Sequence, residues 1–213
     1  MTSSRETVLG KIRAGLDLVD GDMQTAYSEL ARRYTQTGSM DSKEKLALMV
    51  ERLREYDAEV VECSASMLDK TVAQQIEGSG RRVLAAPAGL PRGWLAEGVD
   101  WRIDHDLSHD EIELAEGVVT SSFCGIAESG TIVLHHSPTE GRRVLTLLPD
   151  WHLCVLRASQ VVETLPEYFA RCAEPPKLAT YISGPSATAD IEMTRIKGVH
   201  GPRFLSVILV RDE

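Results

Sequence analysis

The chain has 213 residues, 43% of them apolar and only 5% aromatic, with a formal net charge of −9. A chain this long buries roughly 70–75% of its unfolded surface, so it needs neither a disulfide nor a metal to fold. The composition excludes a disordered chain, no apolar run nears the ~18 residues of a membrane helix, and no basic patch marks a general nucleic-acid binder.

The first ~57 residues read as helical by apolar period. Met1 to Arg13 is polar and mixed in charge and lacks the apolar core of a secretory signal. Ser3-x-x-Glu6 is a capping-box pattern ahead of Val8, Ile12, Leu16 and Val19. Met23, Ala26, Tyr27, Leu30, Ala31 and Tyr34 fall on one helix face, and Gly38 fits a helix end. Asp41-x-x-Glu44 opens another helix, with Leu46, Val50 and Leu53 inward. Residues 1–40 are therefore expected to form an N-terminal helical segment, and 41–213 the main α/β domain.

After Tyr56 the pattern turns to short β-type runs at Val60-Val61, Val83–Ala86, Val118-Val119, Ile132–Leu134, Val144–Leu148, Leu153–Leu156, Leu178–Ser183 and Phe204–Val210. Ser66 to Ile76 reads as a helix with a Ser66 cap, Ser108 to Ala115 as a short helix, and Thr164-x-x-Glu167 as the start of another. Strand, helix, strand implies a partly parallel sheet with helices on its faces, and the close spacing from 118 to 156 suggests hairpins within it. Nearly all the excess charge sits in residues 97–128, which hold nine acidic groups and one basic, Arg102. That stretch reads as a solvated surface. Cys63, Cys124, Cys154 and Cys172 are scattered without a C-x-x-C, which fits reduced thiols in a cytoplasmic protein and no zinc or iron–sulfur ligand set.

Two segments carry candidate chemistry. Gly125-Ile126-Ala127-Glu128-Ser129-Gly130-Thr131 lies between two β-runs. Glycines permit a close backbone approach, and turn amides cradle anions. Glu128 there is a candidate nucleophile or base; the plain alternative is an ordinary hairpin turn. The second segment runs from Gly184 to Pro202 and holds Ser186, Asp190, Glu192 and His200. About 20 residues of connection suit a functional loop, with an acid–base set or an O,N metal site as options. The plain alternative pairs Asp190 and Glu192 with Arg195 and Lys197. Asp104-His105-Asp106 with His109-Asp110 looks like a ligand cluster, but capping and solvation explain it more cheaply. His135-His136 ends a β-run, and alternation sends the two rings to opposite faces. Dinucleotide, P-loop and nucleophile-elbow fingerprints are missing.

Together, Gly125-Ile-Ala-Glu-Ser-Gly-Thr-Ile-Val-Leu134 and Ile182-Ser-Gly-Pro-Ser-Ala-Thr-Ala-Asp-Ile-Glu192, with Gly198-Val-His-Gly-Pro202, resemble the two signatures of the lactate-utilisation protein C family, the LUD-domain proteins. The likeness covers roughly residues 40–213, and Ser129 stands where the family pattern has threonine. The resemblance implies a three-layer α/β/α fold with a mixed, mostly parallel sheet of the NagB/RpiA/CoA-transferase-like kind. It implies a cytoplasmic role in oxidising L-lactate to pyruvate beside two iron–sulfur partner proteins, with no cofactor or metal in this chain. It carries over positions in the two motifs and not their roles. On the chemistry of those residues, Glu128, Asp190 and His200 are the catalytic candidates, and Gly125, Ser129, Gly130, Thr131, Ser186, Thr188, Glu192 and Gly201 the expected contacts to a small anionic ligand. Glu128 would orient the ligand or take a proton, and Asp190 with His200 would complete the wall. Glu128-Ser129-Gly130 also has the E-x-G core of the CoA-transferase nucleophile turn, without the glycine-rich G-G-F element of those enzymes. A stand-alone transferase or ligase and a non-catalytic assembly subunit are the rival expectations.

Overall fold

The computed structural model describes residues 3–16, 23–174, 176–184 and 201–211. It divides into two compact units, Met1–Tyr34 and Thr35–Glu213.

The first unit holds α1 (Ser4–Leu16) and α2 (Met23–Ser28). The Ser3 capping pattern forms: the Glu6 N–H donates to Ser3 Oγ at 3.2 Å and the Ser3 N–H to Glu6 Oε2 at 2.9 Å. The expected helix face running on to Tyr34 is not built, because α2 stops at Ser28 and Leu30 and Tyr34 are exposed. A short helix gains little from propensity when its apolar side chains find nothing to bury against.

In the second unit α3 (Ser42–Glu55) starts at a full Asp41–Glu44 capping box. It buries Met49, Val50 and Leu53, a burial of about 1.5–3 kcal/mol for each large apolar side chain. Gly38 ends no helix; its N–H donates to Glu167 Oε1 at 3.0 Å, in the segment leading into α3.

Then follow β1 (Glu59–Ser64), α4 (Leu68–Ser79), β2 (Val83–Pro87), β3 (Asp100–Asp104), α5 (His109–Glu113), β4 (Gly117–Ser121), β5 (Cys124–Ile126) and β6 (Thr131–Leu134). The chain continues through β7 (Trp151–Arg157), β8 (Val161–Val162), α6 (Leu165–Arg171), β9 (Thr180–Ile182) and β10 (Phe204–Arg211). Six strands form one parallel sheet in the order β1-β10-β7-β4-β2-β3. A second sheet has the order β8-β5-β6-β9, parallel only between β5 and β8. The fold is α/β with a mostly parallel central sheet and helices, as expected.

Alternation along the parallel strands separates two apolar layers. Trp151, Leu153, Val155, Ile208 and Val210 pack with Leu68, Val72 and Ile76 of α4. Cys154, Leu156, Val207 and Leu209 pack with Met49, Val50 and Leu53 of α3, with Ile132 of the second sheet and with Ala127 between β5 and β6.

Three local expectations are corrected. The β5–β6 hairpin belongs to the second sheet rather than the first. Val144–Leu148 forms no strand; Arg143–Thr146 is a 3-10 turn that sinks Leu145 against Ile112 and Val118. Ser66 caps nothing, since a 3-10 turn at Ala65–Met67 leads into α4 and its N-cap, Met67, makes no side-chain bond.

Candidate functional site

Between β5 and β6 the chain makes a 3-10 turn, Ala127–Ser129, closed by Gly130 at φ +63°. A positive φ alone favours glycine. Packing also requires it, because a Cβ there would stand 2.6 Å from Arg52 Cβ and 3.1 Å from the Arg52 backbone carbon. The turn is thus seated directly on α3. Tyr56, just past α3, donates its hydroxyl to the Gly130 carbonyl at 2.7 Å, and burial holds its pKa above the usual phenol range. The other side is pinned by Glu163, whose carbonyl accepts the Glu128 N–H at 3.0 Å. The Glu163 carboxylate accepts the Met40 N–H at 2.7 Å, and so ties the entry of α3 to the same corner.

On this platform Ala127 is buried while Glu128 and Ser129 are exposed. Among the described residues the Glu128 carboxylate has no hydrogen-bond or ion-pair partner; only its backbone N–H is engaged. Ser129 Oγ lies 2.8 Å from Thr131 Oγ1, which lies 2.9 Å from Ser183 Oγ. Three hydroxyls carry three protons, and two links use two of them. Among the described residues the third has no acceptor.

Ser183 directly follows β9, and a Cβ on Gly184 would stand 3.0 Å from the Tyr56 ring. The opening of the second motif therefore adjoins the first, with Tyr56 between them. Gly125 is buried in β5, where a Cβ would meet Leu156 Cδ2 at 2.9 Å. Gly201 lies elsewhere, near the Thr146 carbonyl. Ser186, Thr188, Asp190, Glu192 and His200 lie outside the described residues. Of the expected site, the structure brings together Glu128, Ser129, Gly130 and Thr131. It adds Tyr56 and Ser183, of which Ser183 stood inside the quoted motif and Tyr56 carried no signal.

Other polar groups were legible only in part. Asp104 belongs to no ligand cluster. It accepts a bidentate pair from Arg142 at 2.6 and 2.8 Å, which holds its carboxyl below the usual range. Ser108 caps α5 with Glu111, and Glu116 accepts the backbone N–H groups of Arg82 and Val83. The acidic stretch is thus partly structural. His135 stacks on Phe123 at 3.6 Å between ring centres and meets Tyr168 Oη at 2.9 Å; burial lowers its pKa. His136 points elsewhere, to the Gly141 carbonyl and Thr180 Oγ1. His152 is buried against Thr120 Oγ1 at 2.7 Å, and burial takes its pKa down to about 4. All four cysteines are free, and burial pushes Cys124 up to about 11 and Cys154 to about 12. These two thiols are unreactive as thiolates at neutral pH. Among the described residues no group of three or more His, Cys, Asp or Glu could hold a metal, and no helix is long and apolar enough to cross a membrane.

The family model of the LUD domain matches residues 28–210. The lactate utilization protein C of Deinococcus radiodurans is 40% identical over 181 residues, covering 83% of this chain and 84% of that one. The protein of the same name from Bacillus subtilis is 37% identical over 134 residues, 58% of this chain and 55% of that one. A crystal structure of a DUF162-family protein from Deinococcus radiodurans superposes with a TM-score of 0.66 at 37% identity, over 81% of this chain and 99% of that one. The match spans both sheets and the turn at Glu128, and on that ground the chain belongs to the LUD-domain family.

Proposed function

We propose that this protein is a component of an L-lactate utilisation system, working with iron–sulfur partner proteins that oxidise L-lactate to pyruvate. The similarity to proteins named for lactate utilisation supports the pathway. The observation that carries the site is the junction of the two motifs at Thr131 and Ser183. Its unused hydroxyl proton suits a small anion, and Glu128 beside it suits a proton or a cationic partner group. Asp190 and His200 are proposed to complete the site from the same loop as Ser183.

A stand-alone acyl transfer on Glu128 has less support. Glu128 is exposed, and among the described residues its carboxylate has no partner to orient it for attack. The assembly-subunit reading draws on the exposed Val8, Ile12 and Leu16 of α1. A truncation from residue 35 that still assembles would remove it.

The test is deletion of this gene alone, with growth compared on L-lactate and on pyruvate as sole carbon source. Growth is expected to fail on L-lactate, persist on pyruvate, and return with a wild-type copy. Unimpaired growth on L-lactate would contradict the pathway assignment.

A further inference from the structure

On the α4 side of the parallel sheet, β1, β10 and β7 begin side by side at Glu59, Phe204 and Trp151. A groove of about 330 Å³ opens there, within the size range of small-molecule sites. It shares no residue with the Glu128 turn, which lies on the α3 side.

Arg81 is its cation. The guanidinium lies over two adjacent rings, 5.0 Å from Trp151 and 5.5 Å from Phe204. Such contacts engage the flat face of the group and leave its N–H edges open. Along those edges Arg81 makes one long bond, 3.5 Å to the Ser79 carbonyl. The acids whose charge reaches it, Asp150 and Glu116, are already engaged by Arg203 and by backbone N–H groups. Among the described residues Arg81 has no ion-pair partner. A half-buried, pre-positioned guanidinium with open edges is a receptor for a carboxylate or a similar planar anion.

A second part of the lining has the reverse character. Trp151 Nε1 donates to the buried Ser206 Oγ at 2.9 Å, and Ser206 Oγ donates to Glu59 Oε2 at 3.2 Å. This relay engages one Glu59 oxygen, and Glu59 lines the groove. A purely anionic guest would be repelled by Glu59, and a purely cationic one by Arg81. The walls suit a guest carrying both an anion and a hydrogen-bond donor.

We propose that this groove binds a small carboxylate bearing a hydroxyl or ammonium group on the adjacent carbon. The carboxylate sits on Arg81 and the donor on Glu59. The proposal does not rest on the pathway assignment, since binding is read on the purified protein and growth on the gene.

The test follows the Trp151 indole N–H signal by NMR while L-lactate, L-alanine and propionate are titrated in turn. Trp151→Phe assigns the signal among the three tryptophans. L-lactate or L-alanine is expected to shift it saturably, with propionate at least about fivefold weaker for want of a donor. Whichever of the two binds better names the source. Arg81→Gln should weaken binding by about tenfold or more, and Glu59→Gln should erase the advantage over propionate. A melting curve checks that each variant folds, with Arg81→Lys as the milder replacement. No saturable shift with any of the three compounds, or a shift that survives both Arg81 changes, would overturn the proposal.

Discussion

The two faces of the parallel sheet handle polarity in opposite ways. On the α3 face the Glu128 turn is closed on itself: Tyr56 holds Gly130, Glu163 holds the Glu128 backbone, and the hydroxyls of Ser129, Thr131 and Ser183 bond to one another. On the α4 face Arg81 is held by rings while its N–H edges have one long contact. The motif that looks chemical in sequence is, in its buried part, a packing device that presents one carboxylate and one hydroxyl proton. The groove that looks receptive in space has no sequence motif at all. Close packing and open valence therefore divide between the faces, and substitutions on each should separate stability from binding.

The largest stability effect is expected at Gly130. Gly130→Val adds a left-handed strain and a clash with the α3 backbone, and should cost about 2–4 kcal/mol in denaturant unfolding. A cost below about 1 kcal/mol would mean the turn can lift off α3.

The next effect is pH dependence at His152, on the same face. Its folded pKa is about 4 against an ordinary 6.5. Between those values the unfolded chain takes up a proton that the folded chain does not. Stability from this group is therefore full above pH 6.5 and lost as pH falls toward 4, up to about 3 kcal/mol. His152→Gln keeps a partner for Thr120 and should flatten the difference between unfolding at pH 7 and pH 5.

Tyr56→Phe removes one bond to the Gly130 carbonyl and should cost about 1 kcal/mol, again by denaturant unfolding. Smallest of all, Arg81→Gln on the other face should move stability by less than about 0.5 kcal/mol, because a half-exposed cation over aromatic rings contributes little to folding. A large loss there would turn the groove from a receptor into a structural joint.

Local rules were readable where the residues act on their own neighbours. The capping boxes at Asp41 and Thr164 each placed a helix start to the residue, because a side-chain oxygen and the N3 carboxylate satisfy donors within one turn. Buried strands such as β7 and β10 announced themselves through apolar runs of four, Leu153–Leu156 and Val207–Val210. The failures depend on what lies across space. Val144–Leu148 has strand composition but no strand beside it to pair with, so it curls to bury Leu145. β3 went unread because Asp100, Arg102 and Asp104 alternate with Trp101 and Ile103 on a sheet edge inside an acidic run. At the site, Glu128 to Thr131 were legible as a motif, whereas Tyr56 and Ser183 join them only through α3 and β9, from 72 and 55 positions away from Glu128 in the sequence. Arg81 was invisible, since an arginine pair before a strand carries no pattern.

The central claim is that the Glu128 turn acts in lactate utilisation and does more than seat the second sheet on α3. Its most direct test is the growth rate on L-lactate of a deletion strain carrying the Glu128→Ala protein, with its level and melting temperature matched to wild type. Glu128 is exposed and its side chain holds none of the described residues in place, so the variant should fold normally and fail to restore growth on L-lactate while growing on pyruvate. Full restoration by a normally folded Glu128→Ala protein would contradict the account and leave the turn as architecture.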